Sequence, residues 1–147
     1  MYLGDMFSTA VYDVHPNKES WLSEGFSQRR SGKPPTIARH PVPQRQLDQI
    51  PDPEIQQKLV AAFKSLYEAN THILKESQSL HERHTEALFL ADGVRAHEVA
   101  KEMLREVSHI HQKKDYSVHV GLAPQDGQYT PYRFSPVQLS SFLKHYF

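Results

Sequence analysis

The stretch "SHIHQKKDYSVHV", residues 108–120, carries three of the chain's ten histidines, at positions 109, 111 and 119. Side chains alternate along a strand, so His109 and His111 share one face while Ile110 takes the other. In the second half Tyr116, Val118, Val120 and Leu122 share a face, and Ser117, His119 and Gly121 oppose it. A three-residue loop, Lys113 to Asp115, sets His109 opposite His119, whereas a four-residue loop, Gln112 to Asp115, pairs His109 with Val118. The aliphatic pattern favours the first, because burying that set turns the three imidazoles to one side. Three converging imidazoles suit a metal, a proton-transfer centre, or the wet face of a hairpin buried on its other side, and the residues leave these open.

The flanking segments give the hairpin its setting. "RAHEVAKEMLREV", residues 95–107, reads as an amphipathic helix, and "TEALFL", 85–90, as a short strand with "ADG" as its turn. Further back, Asp52 is placed to cap a helix, Pro53 stands at its first position, and Ile55, Leu59, Phe63, Leu66 and Tyr67 recur at three- and four-residue spacing, predicting a helix to about Lys75. On the other side Ser135 and Pro136 precede Val137, Leu139, Phe142, Leu143 and Tyr146, predicting a last helix. Residues 1–50, with isolated apolar residues among Gly and consecutive prolines, read as an extended segment laid over a core spanning 51–147. The expectation is an α+β fold: a small, mainly antiparallel sheet packed by about three helices in a single domain, 1–147.

Composition narrows the function. Seventeen basic and seventeen acidic side chains give a formal net charge of zero, and no segment is basic enough to track phosphates, so a small-molecule substrate is expected and nucleic acid is not. With no cysteine, disulfides, thiolate nucleophiles and Cys-type metal sites are excluded, and any metal would rest on His and carboxylate ligands. No apolar run reaches the roughly 18 residues of a membrane span, and the first residues lack a basic region followed by a hydrophobic stretch, so a soluble, cytoplasmic protein without a membrane partner is expected.

Other residues carry possible chemistry. "HERH" places His81 and His84 three apart, and His84 stands immediately before a strand. "QRQLDQ", 44–49, brings Arg45 and Gln46 ahead of the long helix, with capping as the plainer role. Neither a Gly-rich phosphate loop nor a GxSxG elbow is present, which removes support for nucleotide binding and serine hydrolysis.

Several ordered blocks, "YDVHPNKESWL", "RSGKPPTIARHPVPQRQLDQ", "HTEALFL" and "REVSHIHQKKDYSVHVGLAPQDG", resemble the fungal luciferase-like domain family, whose named member oxidises 3-hydroxyhispidin. The likeness runs from about residue 11 to residue 128. On the family's core signature it places His109, His111, Asp115, Ser117, His119, Leu122 and Asp126, with Arg45, Gln46 and His84 matching outside it. The family continues with a Gly-Trp-Gly-x-Arg-His-Pro-Leu block, where this chain runs "DGQYTPYRFSPVQLSSFLKHYF". The resemblance implies a fungal, secondary-metabolism setting and a pocket for a planar, enolic, pyrone- or polyketide-like substrate, and the departure implies chemistry without light. The luciferase's N-terminal membrane anchor precedes the matched region, which fits the expectation of a soluble product.

Together these give a cofactor-independent enzyme in which His109, His111, His119 or His84 acts as general acid or base in isomerisation, cyclisation, dehydration or O₂ addition. Asp115 or Asp126 would orient an imidazole, Arg45 would hold an oxyanion, and Gln46, Tyr116 and Asp126 would bind substrate. The alternatives are a zinc-dependent lyase or hydrolase on His109, His111 and His119, and a non-catalytic small-molecule-binding relative. Loss of the Trp-containing block would also leave a pocket wall for a second copy to close, as a homodimer.

Overall fold

In a computed structural model, residues 13–20, 33, 35–38 and 45–127 are described. They fall in two compact units, one holding 13–20, 33 and 122–127 and the other 35–38 and 45–121. The second contains two helices and one antiparallel sheet in the order α1 (Pro53–Glu68), β1 (Leu74–Gln78), β2 (Glu86–Leu90), α2 (Glu98–Glu102), β3 (Glu106–Ile110) and β4 (Val118–Val120). The first contains α3 (Pro124–Gly127), which the sequence reading did not anticipate. Three helices and a four-stranded antiparallel sheet among the described residues bear out the α+β expectation. The helix expected over 135–146 lies outside the described residues.

The strands lie in the order β1-β2-β3-β4, so β2 and β3 are central. That explains their composition: the "EALFL" strand is buried everywhere except Glu86, and β3 is buried at all five positions, Glu106 and His109 included. A strand covered on both faces must carry apolar side chains or polar ones that find partners inside. Leu74, Leu88, Leu90, Val107 and Ile110 are at most 2% exposed and form the core with Phe63 of α1.

Two boundaries differ from the expected ones. The first helix stops at Glu68, where the Asn70 side chain donates to Leu66 O at 2.7 Å and the chain turns, so Leu74 and Lys75 join β1 rather than continuing the helix. Pairing β1 with β2, Leu74 opposite Leu90 and Gln78 opposite Glu86, satisfies a row of β2 backbone groups that a longer helix would have left open. The second helix is only five residues long. Leu104 and Arg105 adopt left-handed backbone, φ 54° and 69°, which ends α2 and frees Glu106 and Val107 to begin β3. Arg105 is anchored there by its Nη2, which donates to Ala91 O and Val94 O at 2.7 and 2.8 Å.

The hairpin register is the expected one. His109 faces His119 and Ile110 faces Val118. The loop is longer than expected, because His111 N–H still donates to Ser117 O at 2.9 Å, leaving 112–116 as the connection. Lys113 and Tyr116, at φ 63° and 57°, turn it.

A β-bulge shapes the site. Ala87 pairs with His109 and Leu88 with Ser108, but Phe89 pairs with Glu106, so Val107 is the extra residue. On a regular strand residues 106 and 109 would point to opposite faces. With one residue bulged out, Glu106 comes round to the face of His109.

Candidate active site

Four imidazoles lie together on that face. His109 and His119, opposite each other across β3 and β4, stack with centroids 5.0 Å apart and an interplanar angle of 7°. His111 stacks on His119 at 4.1 Å and on His109 at 5.3 Å, and His81, from the β1–β2 loop, comes within 6.1 Å of His109. His109 and His111 are buried. His119 is half-buried and His81 exposed, while the part of the face that carries His109 and His111 is covered rather than solvated.

Burial demands partners, and carboxylates supply them. Glu106 Oε1 accepts from His109 Nδ1 at 2.8 Å and from Ser79 Oγ at 2.8 Å, while its Oε2 accepts from Leu80 N–H at 2.8 Å. His111 is held from both sides, Nε2 at 3.0 Å from Glu82 Oε1 and Nδ1 at 3.2 Å from Asp115 Oδ1. Ser117 Oγ sits between, 2.9 Å from His111 Nδ1, 3.3 Å from His119 Nε2 and 3.0 Å from Asp115 Oδ1.

A short pairing of Ile37 with Gln46 carries Arg45 to this cluster. Its Nη2 donates to Glu82 Oε2 at 2.7 Å, its Nη1 lies 3.9 Å from Asp115 Oδ1, and Gln46 N–H donates to Asp115 Oδ2 at 2.6 Å. The buried Nη1 makes no hydrogen bond among the described residues.

The structure thus brings together His109, His111, His119, Arg45 and the backbone of Gln46. The Gln46 side chain turns away to Gln49 O, and Tyr116 enters through its backbone N–H, donated to His111 O. His84 is exposed on the β1–β2 loop and is not among the stacked rings. Asp126 belongs to the other unit, where it accepts from Ser20 Oγ at 2.6 Å. Of the two aspartates weighed as orienters of an imidazole, Asp115 holds His111. Sequence reading missed Glu82 and Glu106. Glu82 sat in view inside "HERH", whereas nothing in the sequence announces the bulge that recruits Glu106.

The electrostatics follow from these contacts. Burial alone would raise the Asp115 and Glu106 carboxyls. The hydrogen bonds of His111, Gln46 and Ser117 hold Asp115 well below the usual range, and those of His109, Leu80 and Ser79 hold Glu106 below it. His119 goes the other way for an imidazole: burial, and then the neighbouring His111 and His109, push it from 6.5 down to about 3. In the metal-free protein the native ring therefore stays neutral while an unfolded chain takes up a proton below 6.5. Stability is complete above that value and declines as the pH falls toward 3. Asp115 and Glu106 add to the loss at lower pH, as unfolded carboxylates protonate first. From His119 alone the loss is about 2 kcal/mol by pH 5; chemical denaturation at pH 7 and pH 5 checks it, and equal stabilities would refute the burial of a neutral ring.

No family model and no solved structure matches this chain. Curated proteins do: the luciferases of Armillaria gallica and Armillaria mellea are each 32% identical to it over 132 residues, and that of Neonothopanus nambi is 30% identical over the same length. Each match covers 81% of this chain and 47% of the relative. The chain therefore spans about half the length of the curated relatives it matches. Among the described residues no helix is long and apolar enough to cross a membrane. With matches to three fungal luciferases over four-fifths of its length, the chain belongs with the fungal luciferase-like family.

Proposed function

We propose that the chain is a small-molecule enzyme that removes a proton from a planar, enolic, pyrone- or polyketide-like substrate at the histidine stack. The observation that carries this reading is the buried pairing of His109 Nδ1 with Glu106. A carboxylate accepts from Nδ1–H, so it fixes the tautomer in which Nε2 holds the free lone pair, and it stabilises the ring once that nitrogen has taken a proton. His109 has the base's place, in contact with His81, His111 and the half-buried His119. Loss of an enol proton leaves negative charge on oxygen. Arg45 supports that charge, since its buried Nη1 has no hydrogen-bond acceptor among the described residues and its Nη2 is steadied by Glu82.

An enolate formed here has two onward paths. It can give an electron to O₂, which suits kinship with luciferases, or take the proton back at another atom, which is isomerisation and opens the way to cyclisation or dehydration. Oxygen-electrode traces and product analysis with a panel of hydroxylated pyrones, read beside luminometry, test the reading and separate these paths. Substrate consumption in the dark, with or without oxygen uptake, is the expected result. Saturable binding of the pyrones without turnover would overturn it in favour of a non-catalytic binder.

A further inference from the structure

The charge balance of the cluster points past proton transfer. Three buried carboxylates, Glu82, Glu106 and Asp115, lie around the stack, and among the described residues Arg45 is the one cation paired with them apart from the rings. With all three imidazoles neutral the cluster holds a surplus of two negative charges inside the protein, where unpaired charge is costly. Two protons on adjacent stacked rings would balance it at the cost of placing like charges about 5 Å apart. One divalent cation balances it without that repulsion.

The ring nitrogens are arranged for such an ion. One nitrogen from each of His109, His111 and His119 lies within 4.8 Å of the others. Glu106 takes His109 Nδ1 and leaves Nε2; Glu82 takes His111 Nε2, so the ion would meet His111 at Nδ1, in exchange for that atom's contacts with Asp115 Oδ1 at 3.2 Å and Ser117 Oγ at 2.9 Å. Metal-ligating histidines are oriented this way, with the second nitrogen held by a carboxylate that also raises the ring's basicity. A modest contraction of the three rings gives the separations of a tetrahedral or octahedral first-row ion.

We propose that His109, His111 and His119 bind one divalent first-row transition metal ion, of the imidazole-preferring kind exemplified by zinc, with Glu106 and Glu82 as the carboxylates that orient two of the ligands. The proposal concerns the site read above and rests on its being functional, but it adds a resident ion: an enol or water ligated there loses its proton more readily, so the stack acts on the proton through the metal rather than through a free ring nitrogen.

The test needs no substrate. The full chain is stripped with chelator, titrated with zinc or cobalt(II), passed through gel filtration and analysed for metal. About one ion per chain is expected, with X-ray absorption at the zinc edge showing three imidazole ligands. His109→Ala with His119→Ala should abolish stoichiometric binding, and Glu106→Gln should weaken it about 10–100-fold. Wild-type protein that retains no metal, a bound ion with one imidazole or none, or a double variant that binds as well as wild type would each overturn the proposal. The spectroscopic measurement stands even where the double variant fails to fold. Assaying pyrone turnover on the stripped protein keeps the two readings apart. Undiminished turnover with no bound metal removes the ion and keeps the base, whereas bound metal with no turnover keeps the ion and removes the proposed substrate.

Discussion

Replacing Asp115 with alanine is expected to cost about 3–5 kcal/mol of stability, the range for breaking a buried ion pair from one side. The side chain is 4% exposed and joins three separate stretches of chain. It accepts Gln46 N–H at 2.6 Å, Ser117 Oγ at 3.0 Å and His111 Nδ1 at 3.2 Å, and lies 3.9 Å from the Arg45 guanidinium. Alanine leaves the Gln46 amide without its acceptor and Arg45 with Glu82 as its remaining ion-pair partner among the described residues, while removing little apolar packing, so the loss comes from stranded polar groups rather than a cavity. The 35–38 and 45–50 segment should loosen first, because the Gln46 amide bond is one of its ties to the hairpin. Asp115→Asn separates charge from shape: its one oxygen can keep Gln46, but not the ionic contacts to His111 and Arg45, so an intermediate loss is expected. Denaturant titration gives both numbers, and a loss below about 1 kcal/mol for alanine would show that the pairing with Arg45 and His111 contributes nothing net.

How much of this could be read from the residues differs from one element to the next. The hairpin register was legible because alternation is strict there. Ile110, Val118 and Val120 demand one face, and the pairing of His109 with His119 follows. Burial of the histidine face was not, since it depends on Glu82 and Arg45 arriving from distant parts of the sequence and on Glu106 coming round a bulge, and alternation within a hairpin carries no information about either. The long helix was overextended for a related reason. Leu66, Tyr67 and Leu74 continue a helical spacing, and β1 buries Leu74 alone while presenting mostly polar side chains outward, so its local signal is weak. What makes it a strand is the open side of β2, a non-local demand. The short α2 repeats the pattern, since amphipathic spacing from 95 to 107 conceals the left-handed pair Leu104 and Arg105 that hands Glu106 to the sheet.

That bulge makes Glu106 the most informative position for function. Glu106→Gln should lower turnover about 100-fold or more while leaving the thermal midpoint within a few degrees. The amide keeps one oxygen for Leu80 N–H and stays within reach of Ser79, so the loop it anchors retains its bonds. Its remaining group toward His109 is then an NH₂ donor, which requires a lone pair on Nδ1 and therefore drives the ring's proton to Nε2. The base is present, in place and facing the wrong way round. ¹⁵N chemical shifts of the His109 ring report that tautomer directly and do not move for a merely structural loss. His109→Ala is the companion measurement. It should abolish turnover to a similar degree, and it leaves Glu106 with Ser79 and Leu80, so no carboxylate is stranded in the core. Were Glu106→Gln to unfold the sheet while His109→Ala turned over normally, Glu106 would be a structural anchor of the β1–β2 loop and the proton-accepting role would have to move along the stack to His119 or His111. Were both variants stable and inactive, with the proton of the Gln variant found on Nε2, the bulge at Val107 would be explained as the device that turns one buried glutamate toward one histidine.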